Sequence, residues 1–283
     1  MNWKGFGTRM LMIAVALPVL AVAVLVLPYF HHLAFNLIVV AATVAGAFEM
    51  VSLFRSRSIP TSTRLAPILS ASLPAGAWLE IAGFIPPGWM GIWMPAAMCI
   101  ILVRGVFFQD AKKLVNVLPF ATSSFFTFLY PGFFLSWIVR MSSLPDPSLM
   151  ILFFLCLVFG NDMSAYFVGS LWGESTRLNL PVSPQKSLVG FIGGYAGSFI
   201  IVGFFLLFGP GWRPFSVPLY FVLGFATGTT VIVGDLLESG LKRSAGVKDS
   251  GVVIPGRGGM LDSVDSMIFT APLFFYFVTL VVR

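Results

Sequence analysis

The sequence predicts an all-α polytopic integral membrane protein, and three observations support this fold class. Of the 283 residues, 58% are hydrophobic and only 10% are charged, whereas soluble domains carry about 25% charged residues. Apolar windows of about 20 residues, the length that crosses a bilayer as a helix, recur along the chain. Basic residues gather in every second connection between these windows. This combination excludes an ordinary soluble fold.

The apolar windows predict nine transmembrane helices. The first resembles a signal peptide, but it lacks a small-residue cleavage site and leads directly into the next span, so we expect an uncleaved helix. Cys99 and Cys156 lie singly inside apolar runs, which indicates neither a disulfide framework nor a thiolate metal site. The expected spans are residues 10–30, 33–54, 65–84, 91–108, 120–140, 149–169, 190–208, 217–234 and 266–282.

The distribution of basic residues predicts the orientation of these spans. With the N-terminus in the cytoplasm, all but three of the 17 Lys and Arg residues fall on the cytoplasmic side; the exceptions are Arg140, Arg213 and Arg283. The formal charge of +6 therefore reports orientation, and we expect no nucleic-acid partner. The connection between the eighth and ninth spans is expected to face the cytoplasm.

We divide the chain at residue 150. Residues 1–150 supply about five N-terminal spans, and residues 151–283 carry the longer polar loops. Glu49 and Glu80 lie inside predicted spans, where an ionisable side chain is costly and usually faces a partner or a cavity. Structural pairing and the lining of a site are both open for each of them.

The stretch from Gly234 to Asp265 holds five of the eleven acidic residues. If the eighth span continues as a helix past Val233, a polar face forms from residues spaced at i, i+3, i+4 and i+7. The ninth span begins with Asp262 and Asp265, one turn apart. The residues of the first face are Asp235, Glu238, Ser239 and Lys242.

Between these acidic faces lies a loop that contains Gly251, Gly256, Gly258 and Gly259. Glycines let backbone N–H groups come close to an anion. Taken singly, each feature has a simpler explanation, because the helix dipole alone favours acids at an N-terminus and a charged loop is often just solvated. Taken together, carboxylates, basic residues and a glycine loop are what Mg²⁺-dependent phosphoryl chemistry needs.

The same stretch resembles the signature of the phosphatidate cytidylyltransferases, or CDP-diacylglycerol synthases. That signature reads S-x-x-K-R-x(4)-K-D-x-G-x(3)-P-G-H-G-G-x-x-D-R-x-D, and this chain supplies 12 of its 14 fixed positions without gaps. The resemblance extends upstream through Gly234-Asp235, Asn161-Asp162 and the segment 183–187. The matching signature residues are Ser239, Lys242, Arg243, Lys248, Asp249, Gly251, Pro255, Gly256, Gly258, Gly259, Asp262 and Asp265.

The resemblance implies that the chain transfers CMP from CTP to phosphatidic acid at the cytoplasmic face of the inner membrane. It implies a Mg²⁺ cofactor, with a second cation left open, held by Asp235, Asp262 and Asp265. Asp235, Asp262 and Lys242 would be catalytic, and Asp262→Asn is expected to abolish turnover without unfolding the protein. The implied substrate-binding residues are Asn161, Asp162, Ser183, Lys186, Ser239, Arg243, Lys248, Asp249, Gly258 and Gly259.

Three positions depart from the family pattern. Arg257 stands in place of His, Ser263 in place of Arg, and Val189 in place of a common Glu. One interpretation is a relocated basic group. Other interpretations are a CTP-dependent transferase or kinase acting on a polyprenol or isoprenoid-ether phosphate, or a non-catalytic member. A transporter is the remaining class, although charge concentrated at one membrane face disfavours it. The oligomeric state is open, and a homodimer is included among the options.

Overall fold

The computed structural model describes residue 15 and residues 17–107, 111–208 and 215–281. The regular structure within these residues consists of nine main helices, which we label α1 to α9. α5 contains a π-helical turn at Phe128–Phe133. The helices are α1 (Leu17–Val26), α2 (Tyr29–Ser56), α3 (Leu65–Ile81), α4 (Trp89–Phe107), α5 (Leu114–Ser143), α6 (Pro147–Trp172), α7 (Leu188–Phe208), α8 (Val217–Ala245) and α9 (Leu261–Val281).

The helices confirm the prediction of an all-α polytopic membrane protein. Among the described residues, seven helices are long and apolar enough to cross a membrane, and α1 and α3 are shorter apolar helices. The count of nine spans is therefore approximate. The predicted first span begins outside the described residues. Lys4, Arg9, Arg213 and Arg283 also lie outside them, so the orientation stays a prediction.

The largest difference from the predicted spans concerns the charged stretch. α8 continues to Ala245 instead of ending near residue 234, and α9 begins at Leu261 instead of 266. The condition for the polar face, that the eighth span continues as a helix past Val233, is thus met. Hydropathy placed the end of the eighth span too early and the start of the ninth too late, because the added turns are polar although their backbone is helical.

The chain forms two compact units. The first unit comprises Met1–Ser143 and Ser244–Ser263, and the second comprises Leu144–Arg243 and Val264–Arg283. The first unit thus takes in the loop between α8 and α9, although that loop is distant along the chain. Our division into residues 1–150 and 151–283 stays a prediction.

The first unit has an apolar core between α3, α4 and α5, centred on Leu69, Leu73, Ile101 and Phe128. An ion pair accompanies this core. Arg140 on α5 donates to Glu80 on α3 at 2.6 Å, and both side chains are largely buried. Glu80 also accepts from the backbone N–H of Gly88 at 2.9 Å. Of the two interpretations left open for Glu80, the structure supports structural pairing.

The second unit depends on close packing of α6 against α7. A Cβ added at Gly193 would lie 2.5 Å from the Cβ of Val168, and one at Gly197 would lie 2.3 Å from the hydroxyl of Ser164. Small residues at helix interfaces let backbones approach in this way. The apolar end of the unit is filled by aromatic rings around Phe153. This packing fixes the middle of α6, where Asn161 and Asp162 lie.

Candidate active site

Lys186 is the centre of an acidic cluster in the second unit. It lies in the loop between α6 and α7, and its ammonium group pairs with the carboxylate of Asp235 on α8. Burial alone would lower the pKa of Lys186, but the charges of Asp235, Asp162 and Asp265 outweigh this effect and raise the pKa above its ordinary value. The charges of three carboxylates from three helices thus act on one cation.

Gly234 brings α8 close enough to α9 for this cluster to form. A Cβ at Gly234 would lie 2.7 Å from the backbone oxygen of Asp265, so only glycine permits this approach. Ser266 then joins two of the acids. Its backbone N–H donates to Asp265 Oδ1 at 2.6 Å, and its hydroxyl donates to Asp162 Oδ1 at 3.3 Å. The prediction that Asp235 and Asp265 lie close together is consistent with this arrangement.

The next turn of α8 carries a second ion pair. Lys242 pairs with Glu238, four residues earlier on the same helix, and both side chains are buried. Ser239 is buried beside them on the same face. Arg243 lies at the exposed surface, where its Nε donates to the backbone oxygen of Val182 at 3.4 Å. The predicted polar face of α8 therefore turns inward and is neutralised pairwise.

Asn161 and Ser183 complete the predicted residues of the second unit. Asn161 is buried, and its Nδ2 donates to the hydroxyl of Ser198 on α7 at 2.9 Å. Its Oδ1 has no hydrogen-bond donor within the part of the chain that the structure describes. Ser183 lies in the turn before Lys186, and its backbone oxygen accepts from the Lys186 N–H at 3.2 Å. Ser183 thus shapes the segment that presents Lys186.

Asp262 lies in the first unit, and its carboxylate accepts hydrogen bonds from the loop that precedes α9. Its Oδ2 accepts from the N–H of Ser250 at 2.8 Å, from the hydroxyl of Ser250 at 2.8 Å and from the N–H of Gly259 at 2.7 Å. Three donors on one carboxylate oxygen form a strong, charge-assisted set. Asp262 therefore ties the two ends of the loop together.

Glu49 on α2 completes this arrangement in the first unit. Its Oε1 accepts from the N–H of Met260 at 2.7 Å, and its Oε2 accepts from the N–H of Leu261 at 2.8 Å. The hydroxyl of Ser250 lies 2.8 Å from Oε2 as well as from Asp262 Oδ2, so its single proton is shared between the two carboxylates. Of the two interpretations left open for Glu49, the contacts show pairing with this loop.

The remaining predicted residues lie along the same loop. Lys248 and Asp249 are exposed. Gly258 has a φ of +109°, and a Cβ there would lie 2.7 Å from Asp262 Oδ2, so glycine is required at this position both by conformation and by space. The anion beside these glycines is the protein's own carboxylate, that of Asp262. Their assignment to substrate phosphate stays a prediction.

Two of the departures from the family pattern also lie here. The hydroxyl of Ser263 donates to the backbone oxygen of Gly259 at 3.2 Å, and the N–H of Arg257 donates to the oxygen of Ile254 in a turn. Sequence reasoning missed Ser250, which falls at a variable position of the signature. A serine beside the signature acid Asp249 was the signal available for it.

The acidic cluster of the second unit suits Mg²⁺ by its donors, since this ion prefers carboxylate oxygens. Across the described residues, no three His, Cys, Asp or Glu side chains are grouped closely enough to hold a metal. The ammonium group of Lys186 instead pairs with Asp235, and the charges of Asp162 and Asp265 also act on it. The Mg²⁺ site that the resemblance implies stays a prediction.

Comparison with known proteins supplies the family. The model of the cytidylyltransferase family matches residues 7–281. A phosphatidate cytidylyltransferase of Synechocystis is 44% identical over 132 residues, covering 46% of this chain and 43% of that protein. One of Bacillus subtilis is 30% identical over 183 residues, covering 64% of this chain and 63% of that protein.

A further relative has no assigned function. The Escherichia coli protein YnbB, described as uncharacterized, is 35% identical over 196 residues, covering 66% of this chain and 62% of that protein. The matched segment thus spans less than two thirds of the length of each of these relatives. Because the family model covers nearly the whole chain, this protein belongs to the cytidylyltransferase family, as the signature between α8 and α9 predicted.

Proposed function

We propose that this protein is a phosphatidate cytidylyltransferase, which transfers CMP from CTP to phosphatidic acid and releases pyrophosphate. The observation that carries the proposal is the cluster of Asp162, Asp235 and Asp265 around Lys186. Relatives named for this activity support the choice of substrates. A cluster that combines three acids with a lysine is suited to binding polyphosphate together with a cation.

In the proposed reaction, a phosphate oxygen of phosphatidic acid attacks the α-phosphorus of CTP. A new P–O bond forms, the bond from the α-phosphorus to the bridging oxygen breaks, and pyrophosphate leaves with the electron pair. No protein nucleophile is required, because phosphoryl transfer depends mainly on positioning and on electrostatic stabilisation. The protein therefore has to hold two anionic substrates in line and neutralise their charge.

Lys186 and Lys242 are proposed to provide much of that neutralisation. Each lysine is paired with a carboxylate of its own unit, Asp235 for Lys186 and Glu238 for Lys242. Both lysines are thus held in place by a carboxylate before the substrate binds. When CTP binds, we expect Lys186 to exchange Asp235 for a phosphate oxygen. Arg243, at the exposed end of α8, is placed for the outer phosphates.

Magnesium is the proposed cofactor. Asp235 and Asp265 of the predicted set, together with Asp162, would hold it. Bound there, Mg²⁺ would supply positive charge that offsets the charge developing on the α-phosphate. Asp262 was predicted as a third ligand, but its Oδ2 already accepts three hydrogen bonds. We therefore propose that Asp262 acts mainly through the loop.

We further propose that the site faces the cytoplasm from the inner membrane. The positive-inside distribution supports this orientation, and CTP is a cytoplasmic substrate. Labelling of a single cysteine introduced at Lys248 in closed vesicles tests the proposal, with Cys99 and Cys156 replaced by alanine. Labelling only from the cytoplasmic side is expected, and labelling from the opposite side would overturn the orientation.

The central experiment compares CTP labelled at the α-phosphate with CTP labelled at the γ-phosphate. Purified protein is given Mg²⁺ and, in turn, phosphatidate, a polyprenyl phosphate or an isoprenoid-ether phosphate. We expect the α-label to appear in lipid only with phosphatidate, with release of pyrophosphate. Transfer of the α-label to another lipid would show that phosphatidate is not the acceptor. Transfer of the γ-label would indicate a kinase. No transfer to any lipid would overturn the proposed function.

A further inference from the structure

Helix α2 contacts both ends of the loop of residues 246–260, which we call the signature loop. These contacts lie within the first unit, which includes α2 and the segment Ser244–Ser263. The sequence of α2 has no part in the family signature described above. Its contacts nevertheless involve the last carbonyl groups of α8 and the first N–H groups of α9.

At the start of α9, the partner is the carboxylate of Glu49. It accepts from the N–H groups of Met260 and Leu261 at 2.7 and 2.8 Å. The first N–H groups of a helix have no partner within that helix, and a negative charge beside them is favoured by the helix dipole. Glu49 thus caps α9 from a distant part of the chain, a role that its own sequence neighbours do not reveal.

At the end of α8, the partners are the last residue of α2 and the residue after it. The hydroxyl of Ser56 donates to the backbone oxygen of Ala245 at 2.9 Å, and Nε of Arg57 donates to the oxygen of Ser244 at 2.7 Å. A cation beside the last carbonyl groups of a helix is again the favoured charge. Glu49 and Arg57 are two turns apart, about 12 Å along α2.

Two glycines of the signature loop lie against the carboxylate of Glu49. A Cβ added at Gly251 would lie 2.6 Å from Glu49 Oε1, and one at Gly259 would lie 2.4 Å from Glu49 Oε2. Neither glycine has a positive φ in the region that L-residues avoid. Space beside Glu49, and not backbone conformation, is therefore the reason for glycine at these positions.

We propose that Glu49 is a positioning residue for nucleotidyl transfer: by capping α9 and holding Ser250, it fixes the signature loop. The proposal rests on the proposed function for its link to activity. The loop carries Lys248 and Asp249, both predicted to bind substrate, so its position determines where those side chains meet CTP. Glu49 itself is buried and has no role in contact with the reacting atoms.

The test measures the loop and the reaction separately. Trypsin cleavage after the exposed Lys248 reports opening of the loop in purified protein, and CMP transfer to phosphatidate reports activity. For Glu49→Ala we expect cleavage to accelerate at least ~10-fold, because the open population rises. The KM for CTP is expected to rise about 10- to 100-fold, with a smaller change in kcat. Glu49→Gln, which retains one acceptor, is expected to fall between.

The matched control is Glu80→Ala, which removes another largely buried glutamate of the first unit without touching the loop. It is expected to change neither the rate of cleavage after Lys248 nor the KM for CTP. If Glu49→Ala behaves like Glu80→Ala in both measurements, the proposal is overturned. If wild-type protein shows no CMP transfer, the proposed function fails, while the cleavage rates still decide whether Glu49 holds the loop.

A double-mutant cycle gives a second test that does not require Glu49→Ala to be fully stable. Gly251→Ala forces a methyl group against Glu49, so we expect faster cleavage after Lys248 when Glu49 is present. In the Glu49→Ala background the methyl group has space, and Gly251→Ala should add less than a ~2-fold change. Equal effects of Gly251→Ala in both backgrounds would show that the glycine does not serve Glu49, which contradicts the proposal.

Discussion

The two units use their acidic residues in opposite ways. In the first unit, Glu49 and Asp262 are satisfied by backbone N–H groups and by the hydroxyl of Ser250. In the second unit, Asp235 and Glu238 are paired with the mobile side chains of lysines. A carboxylate bound to the backbone can be released only by opening the loop. A carboxylate bound to a lysine can exchange that partner for another cation.

This contrast distinguishes two roles that an acidic residue of the family signature can have. Asp262 and Asp265 are one turn apart on α9 and match equally well in sequence. Asp262 nevertheless belongs to the hydrogen-bonded loop, whereas Asp265 belongs to the cluster around Lys186. The same residue type at adjacent turns thus serves local structure in one case and electrostatics in the other.

The largest effect is expected for Asp235→Asn. The substitution removes the charge that pairs with Lys186 and, in the proposed function, a ligand of Mg²⁺. CMP transfer should fall at least ~10²- to 10³-fold, while trypsin cleavage after Lys248 stays at the wild-type rate. Glu174→Gln, an exposed acid in the same loop as Lys186, is the control and should leave activity unchanged. A wild-type rate of CMP transfer for Asp235→Asn would show that this cluster takes no part in the reaction.

Asp262→Asn should show the complementary pattern. The amide keeps the shape of the side chain but weakens three charge-assisted hydrogen bonds, at a cost of about 1–3 kcal/mol. We expect faster trypsin cleavage after Lys248, and a loss of activity of about 10- to 100-fold that follows from loop opening. Complete loss of activity with a closed loop would instead support the metal role that the family resemblance implies for Asp262.

The sequence was sufficient for the helices and for the acids of the second unit. Hydropathy located the spans, and the continuous polar face of α8 predicted that Asp235, Glu238 and Lys242 lie together. The sequence did not predict the partner of Glu49. The contact joins α2 to the start of α9, and no periodicity links positions so distant. Ser250 was missed for a similar reason, because its role exists only once Glu49 and Asp262 are both in place.

An intermediate effect is expected for Gly234→Ala. The new methyl group would lie 2.7 Å from the backbone oxygen of Asp265, which cannot yield without moving α9. Overpacking of this kind costs about 1–3 kcal/mol, so the Tm should fall together with activity. Gly240→Ala is the matched control on the same helix, because its Cβ would meet only Val182 at 3.6 Å. A Tm for Gly234→Ala equal to that of the control would contradict the close approach of α8 to α9.

The smallest effect concerns the pH dependence of stability at Lys186. The pKa of Lys186 is raised in the folded protein, since its acidic neighbours outweigh the cost of burial. The charged lysine therefore stabilises the fold fully below its ordinary pKa of 10.5, and this contribution is lost as the pH rises through the higher folded value. Thermal unfolding of wild-type protein and Lys186→Met, measured from pH 7 to pH 11, should give a Tm difference that is constant below the ordinary pKa of 10.5 and begins to shrink above it. Lys186→Arg, which stays charged, is the control and should keep its difference from Lys186→Met throughout. A gap between wild type and Lys186→Met that is constant up to pH 11 would mean that packing of the side chain, and not its charge among the carboxylates, holds this loop in place.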